Sequence, residues 1–228
     1  MVLIIRLYRR FFMQKLLEEW KEYLNERLML KPGPDGWELY AELVTRAYEA
    51  APEFDQAAVD SFKTLSPFIE KMFKQIQSKV KVVFSETDPY ESDEHMKREV
   101  RETGILKVYT GHSDHDVFSP ELNVKLRVVH DWMAHIQPNT NFTQKGEIQA
   151  YNAHLKTIPP AGAPALFTEV VGQAMYFTTR GNFPVQKIAI LKGFDFFNIG
   201  VVGPETGYRL DQERKVLVKI EDQEGTEV

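Results

Sequence analysis

Apolar residues recur at three- and four-residue steps over residues 16–30 (LLEEWKEYLNERLML), the spacing that lines one face of an amphipathic helix. Residues 1–12 (MVLIIRLYRRFF) are basic and apolar together, so the predicted helix reaches back into them as an N-terminal arm. The segment 31–36 (KPGPDG) holds two prolines and two glycines and reads as a linker. Beyond it the pattern predicts a helix over about 37–50, an interruption at Pro52, and a helix over about 55–78 broken or kinked near Pro67. Residues 79–84 (KVKVVF) alternate and are β-branched, which predicts a strand. A turn-rich loop over 87–93, a short helix over about 94–102 stopped at Gly104, and a second strand over 105–109 follow.

The polar loop 110–120 (TGHSDHDVFSP) ends in Ser119 and Pro120, a side-chain cap and a first-turn proline for a helix over about 121–136. After a turn at 137–141, Thr143 caps a helix expected to run through His154, with Pro159 and Pro160 beyond it. A third helix spans about 163–178, starting at Ala163 or Ala165. Residues 181–184 form a loop, and 186–191 are apolar and ambiguous between helix and strand. Residues 194–202 (FDFFNIGVV) have strand propensity, 208–210 and 216–220 suggest a terminal hairpin, and the tail is acidic. The predicted class is mainly α (α+β): a helical bundle core with a few short strands and an N-terminal helical arm. The expected division is an arm and linker over 1–36 and a core domain over 37–228.

At 228 residues the chain is long enough to bury a sizeable core. A net charge of −5 gives no overall field favouring nucleic acid. With no cysteine, disulfides, thiolate zinc sites and a cysteine nucleophile are excluded. The opening apolar run meets Arg6 after five residues and no small-residue cleavage site follows, so neither an export signal nor a membrane span is expected. The arm is expected to pack on the body or on another subunit instead.

Chemistry concentrates in one region. Five of the six histidines fall between His112 and His154, interleaved with carboxylates. The three helices predicted there carry Arg127, His130, Asp131 and His135 on the first, Glu147 and His154 on the second, and Glu169 and Gln173 on the third. Imidazole and carboxylate together are a donor set for divalent Zn, Mn or Fe. Glu147 and His154 stand two turns apart on one stripe with the small Ala150 between them, and Glu169 and Gln173 form an i,i+4 pair. On a regular α-helix His130 and His135 lie about 140° apart, which disfavours the zincin arrangement of two histidines at i,i+4. The adjacent His130-Asp131 instead resembles the metal-binding pair of HD-type phosphohydrolases, with His112 or His115 upstream as a further candidate and Glu169 in place of a final aspartate. The expected ligands are His130, Asp131, His135, His154 and Glu169. Glu147 or Glu169 is the expected general base, and Arg127 a holder of phosphate or carboxylate. His95, among charged neighbours, is expected to be solvated. The same groups could equally form a buried hydrogen-bonded network without metal.

The run His130-Asp131-x-x-x-His135, Phe142, Gly146-Glu147, Ala150, His154, Thr168-Glu169-x-x-Gly172-Gln173 resembles an uncharacterised family of bacteriophages and mobile elements, found also as a domain of very large polyvalent proteins. The resemblance covers about residues 105–195 and implies a phage or mobile-element context with these polar positions as a shared site. The expectation is a metal-dependent hydrolase acting on a phosphoester or nucleotide, placed in the host cytoplasm or the virion. The competing expectation is a virion or assembly protein, self-associating or binding other phage proteins through the arm, in which the cluster is structural.

Overall fold

The computed structural model describes residues 37–201 and the two strands Tyr208–Asp211 and Val216–Lys219. The predicted arm, its linker and the acidic tail lie outside the described residues. Residues 37–192 belong to one compact unit, and the described residues from Gly193 onward to another.

Helix α1 (Trp37–Ala50) buries Tyr40, Leu43, Val44 and Tyr48, one stripe at helical spacing. Its C-terminal carbonyls are not left open. The Lys187 ammonium donates to Glu49 O at 3.1 Å and to Ala51 O, and lies over the Tyr48 ring. After a single 3₁₀ turn (Gln56–Ala58), helix α2 (Val59–Gln77) runs through Pro67 as one continuous helix, so of the expected break or kink there the break does not occur. It buries Phe62, Leu65, Ile69 and Ile76 along one face.

Strand β1 (Lys81–Ser85), helix α3 (Asp93–Thr103) and strand β2 (Ile105–Tyr109) form a βαβ unit with the strands parallel, Lys81 paired to Ile105 and Ser85 to Tyr109. The Ser92 hydroxyl caps α3 by accepting from His95 N, and Gly104 ends it at φ +66°, a conformation costly for side-chain-bearing residues.

Helix α4 (Pro120–His130) starts where expected, with Ser119 Oγ accepting from Leu122 N at 3.2 Å. From Asp131 to Ile136 the winding loosens into a π-helix, marked by the i→i+5 bond from Gln137 N to Trp132 O. Helix α5 (Gln144–Leu155) is capped by Thr143, whose hydroxyl accepts from Gly146 N. The last helical run is continuous but mixed: α6 (Ala163–Leu166), a second π-helical stretch (Phe167–Gly172) and α7 (Gln173–Arg180). Helix α5 packs against both π-helical stretches, and α1 packs against α7, where Arg180 bridges Glu42 and Glu49.

Residues 186–191 are neither helix nor strand and pair only through a bridge between Ile188 and Phe54. In the second unit the expected strand over 194–202 is split. Asp195 Oδ1 accepts from Phe197 N and Asn198 N, forming a turn that separates β3 (Phe194–Asp195) from its antiparallel partner β4 (Gly200–Val201). Strands β5 (Tyr208–Asp211) and β6 (Val216–Lys219) form the expected antiparallel hairpin. The fold is mainly helical with a few short strands.

Candidate metal centre

The loosened winding of Asp131–Ile136 places the candidate donors. Five residues of α-helix would leave His130 and His135 about 140° apart. Winding that bonds i→i+5 brings residues five apart onto one side. The two Nε2 atoms accordingly lie 2.9 Å from each other. Glu147, in the first turn of α5 where the helix dipole favours a carboxylate, faces them. Its Oε2 is 3.4 Å from His130 Nε2 and its Oε1 is 3.5 Å from His135 Nε2. One ligand atom from each of His130, His135 and Glu147 thus falls within 4.8 Å of the others.

His154 is fully buried on the same stripe of α5 as Glu147, with Ala150 between them. Its Nε2 sits 3.4 Å from His130 Nδ1, so it approaches the back of the His130 ring and does not join the trio. Its own Nδ1 is buried without a hydrogen-bond partner. Behind His135, Thr140 Oγ1 lies 3.0 Å from Nδ1 and donates to Ala134 O. Phe142, at the exposed end of this turn, stands edge-on to the His135 ring at 4.7 Å.

The protonation pattern suits a cation. Burial holds His135 down to about 2, helped by the charge on His130 and by Lys97. Burial and His130 likewise hold His154 down to about 3. Burial also disfavours a charge on His130, but the hydrogen bond and charge of Glu147, with Asp131, outweigh it and raise its pKa. Burial thus opposes a proton on His135 and His154, while Glu147 and Asp131 favour one on His130, and a divalent ion would compete with that proton. Around one ion with bonds of about 2.1 Å, donor atoms sit about 3.0–3.5 Å apart for right-angled to tetrahedral arrangements. The separations here fit that test.

The remaining expected site residues are not part of this trio. Asp131 is half-buried, pushed up to about 6 by burial, countered by His130 and reinforced by Glu147. Arg127 spends its guanidinium on three carbonyls, Tyr109 O and Gly111 O from one nitrogen and His112 O from another, tying down the loop after β2. Glu169 belongs to a second polar network. Gln186 Nε2 donates to its Oε1 at 2.6 Å and Gln173 Nε2 to its Oε2 at 3.0 Å. His115 Nε2 faces it at 3.6 Å, with His115 Nδ1 accepting from Val117 N and Phe118 N. Between the two upstream histidines, His115 is the buried one, and it faces Glu169. His112 is exposed at φ +50°, edge-on to Tyr109. His95 is half-buried and edge-on to Tyr90, not free in solvent.

No family model, curated protein or solved structure matches the chain. The chemistry of the site has to be read from its own residues. Sequence reasoning missed Thr140 and Gln186. Thr140 reads as an ordinary turn residue, and Gln186 sits in a segment without a clear period.

Proposed function

We propose that this protein is a divalent-metal-dependent hydrolase whose ion is held by His130, His135 and Glu147. The supporting observation is the convergence of these three donors within 4.8 Å, two of them brought into line by a π-helical stretch. A divalent cation in such a site supplies a Lewis acid that acidifies bound water and polarises the oxygen under attack. Three protein ligands leave coordination positions open, the arrangement of catalytic sites as opposed to closed structural ones. Solvent reaches the trio at His130, whose side chain keeps 21% of its exposure, while His135 keeps 1%.

Asp131 is the residue left to accept a proton. It follows His130 directly, feels both His130 and Glu147, and makes no hydrogen bond or ion pair among the described residues. It takes the general-base role in place of Glu169, whose oxygens are engaged by two glutamine amides. This departs from the HD-type pair, in which both neighbours bind metal: here His130 is the ligand and Asp131 the base. A phosphoester or nucleotide substrate is supported by the likeness of His130-Asp131 to the HD-type pair, and a phage or mobile-element setting by the family resemblance. Among the described residues no helix is long and apolar enough to cross a membrane.

Elemental analysis tests the reading. Wild type is expected to hold a stoichiometric divalent metal, His130→Ala and Glu147→Gln to lose it, and Glu169→Gln to keep it. The metal-loaded protein should then cleave an activated phosphodiester, with Asp131→Asn retaining metal but losing turnover. Absence of metal from wild type, after dialysis against Zn, Mn and Fe in turn, would leave the cluster as a structural polar network.

A further inference from the structure

A histidine can present Nε2 as a lone pair only if its single remaining proton is parked on Nδ1, so whatever faces Nδ1 decides whether the ring is ready to bind a cation. For His135 that group is the buried Thr140, whose hydroxyl oxygen lies 3.0 Å away and whose backbone also hydrogen-bonds the ring. A hydroxyl has one hydrogen to give. Thr140 gives its hydrogen to Ala134 O, a carbonyl in the loosened turn just before His135. Its oxygen is left as an acceptor, and the only match for an acceptor at His135 is an Nδ1–H.

We infer that Thr140 is a positioning residue that locks His135 as the Nδ1–H tautomer and so aims the Nε2 lone pair at the centre shared with His130 and Glu147. The hydroxyl ties together three parts of the site: the π-helical backbone through Ala134 O, the imidazole of His135, and the turn that leads to Glu147. That turn is held from its other end as well. Asn141 Oδ1 accepts from Thr143 Oγ1 at 2.5 Å, and Thr143 caps the helix that carries Glu147. Thr140 therefore sets the proton position of one ligand, while Asn141 and Thr143 set the start of the element bearing another. The inference about metal affinity rests on the proposed metal centre. The tautomer assignment does not.

Nitrogen-15 labelling of histidine and long-range proton–nitrogen correlation spectra of the metal-free protein read the tautomer directly. Wild type is expected to show His135 with its proton on Nδ1. Thr140→Val, which keeps the shape and removes the hydroxyl, should lose this single tautomer and weaken Zn(II) binding roughly ten- to a hundredfold by calorimetry, whereas Thr140→Ser should bind within about threefold of wild type. Rescue by serine separates a hydrogen-bonding role from a packing one, because serine lacks the methyl that valine retains. A proton on His135 Nε2 in metal-free wild type would overturn the inference, as would Thr140→Val binding Zn(II) as tightly as wild type. Should Thr140→Val not fold, the wild-type spectrum and the serine variant still decide the tautomer. Failure of wild type to bind Zn(II), Mn(II) or Fe(II) with the Nδ1 proton in place would refute the metal centre and the affinity claim while the tautomer assignment stood.

Discussion

Gly146→Ala is expected to damage both the fold and the site, against the usual preference of helices for alanine. Gly146 lies in the first turn of α5, one residue before Glu147. Helix propensity alone would make the change favourable by about 1 kcal/mol. A β-carbon at this position would stand 1.9 Å from Asn141 O and 2.3 Å from Asn141 Oδ1, far inside contact distance. The first of these is backbone, and its turn cannot retreat freely. Asn141 Oδ1 is engaged by Thr143, and Thr140 is buried against Ala134 and His135. Overpacking of this kind costs about 3 kcal/mol, which leaves a net loss of about 2 kcal/mol. For a domain of this size that lowers Tm by roughly 4–8 °C. Thermal melts of metal-free protein give the stability effect, and Zn(II) calorimetry should show weaker binding, because relieving the clash displaces Glu147 or Thr140. A Gly146→Ala variant as stable as wild type would refute the claimed close approach.

Three further outcomes are expected from other contacts in the fold. His135 and His154, neutral in the fold at about 2 and about 3, take up protons on unfolding, so each favours the unfolded chain below the ordinary histidine pKa of about 6.5. Asp131, pushed up to about 6, is protonated first in the folded state and opposes one of them, while the stability from the raised His130 is already complete below about pH 6.5. Metal-free protein should therefore lose on the order of 1.4 kcal/mol per pH unit as pH falls from about 6 to 5, and urea midpoints that rose on acidification would contradict this. Ser61→Ala should cost about 1–3 kcal/mol in urea titrations, because Ser61 Oγ donates to Ala161 O at 2.7 Å and accepts from Ala165 N at 3.2 Å, and both groups would be stranded. Tyr48→Phe removes a bond to Val185 O and should cost about 1 kcal/mol, with an unchanged midpoint counting against that bond.

Local signals were legible in the chain. Ser119 and Thr143 are caps because a hydroxyl acceptor beside a helical pattern acts within three residues, and both helices begin where those residues put them. The strands over 81–85 and 105–109 were readable as strands, though not as parallel partners, and so was the terminal hairpin, since alternation over four or five residues is itself local. The centre was legible in composition and not in phase. A 100° step puts His130 and His135 apart, and nothing in DWMAHI announces that its winding will follow a longer repeat. Glu169 illustrates the other gap. Its i,i+4 partner Gln173 was visible, whereas His115 and Gln186 come from segments far along the chain and draw it into a different network. Turn chemistry outcompeted strand propensity at Asp195 for a similar reason: one carboxylate satisfied two backbone donors and split an otherwise uniform apolar run.

A helix wound i→i+5 carries, in effect, one inserted residue, and its hydrogen bonding can be returned to the ordinary repeat by deleting one. Loss of Met133 alone would let the segment rewind and bring His130 and His135 into i,i+4 relation, while the capped start at Ser119 stayed where it is. The two imidazoles would still share a side, and Asp131, adjacent to His130 on the unchanged side of the deletion, would keep its phase relative to it to within about 20°. A single codon in this stretch therefore separates the longer repeat from the ordinary one, with the two imidazoles on one side in either.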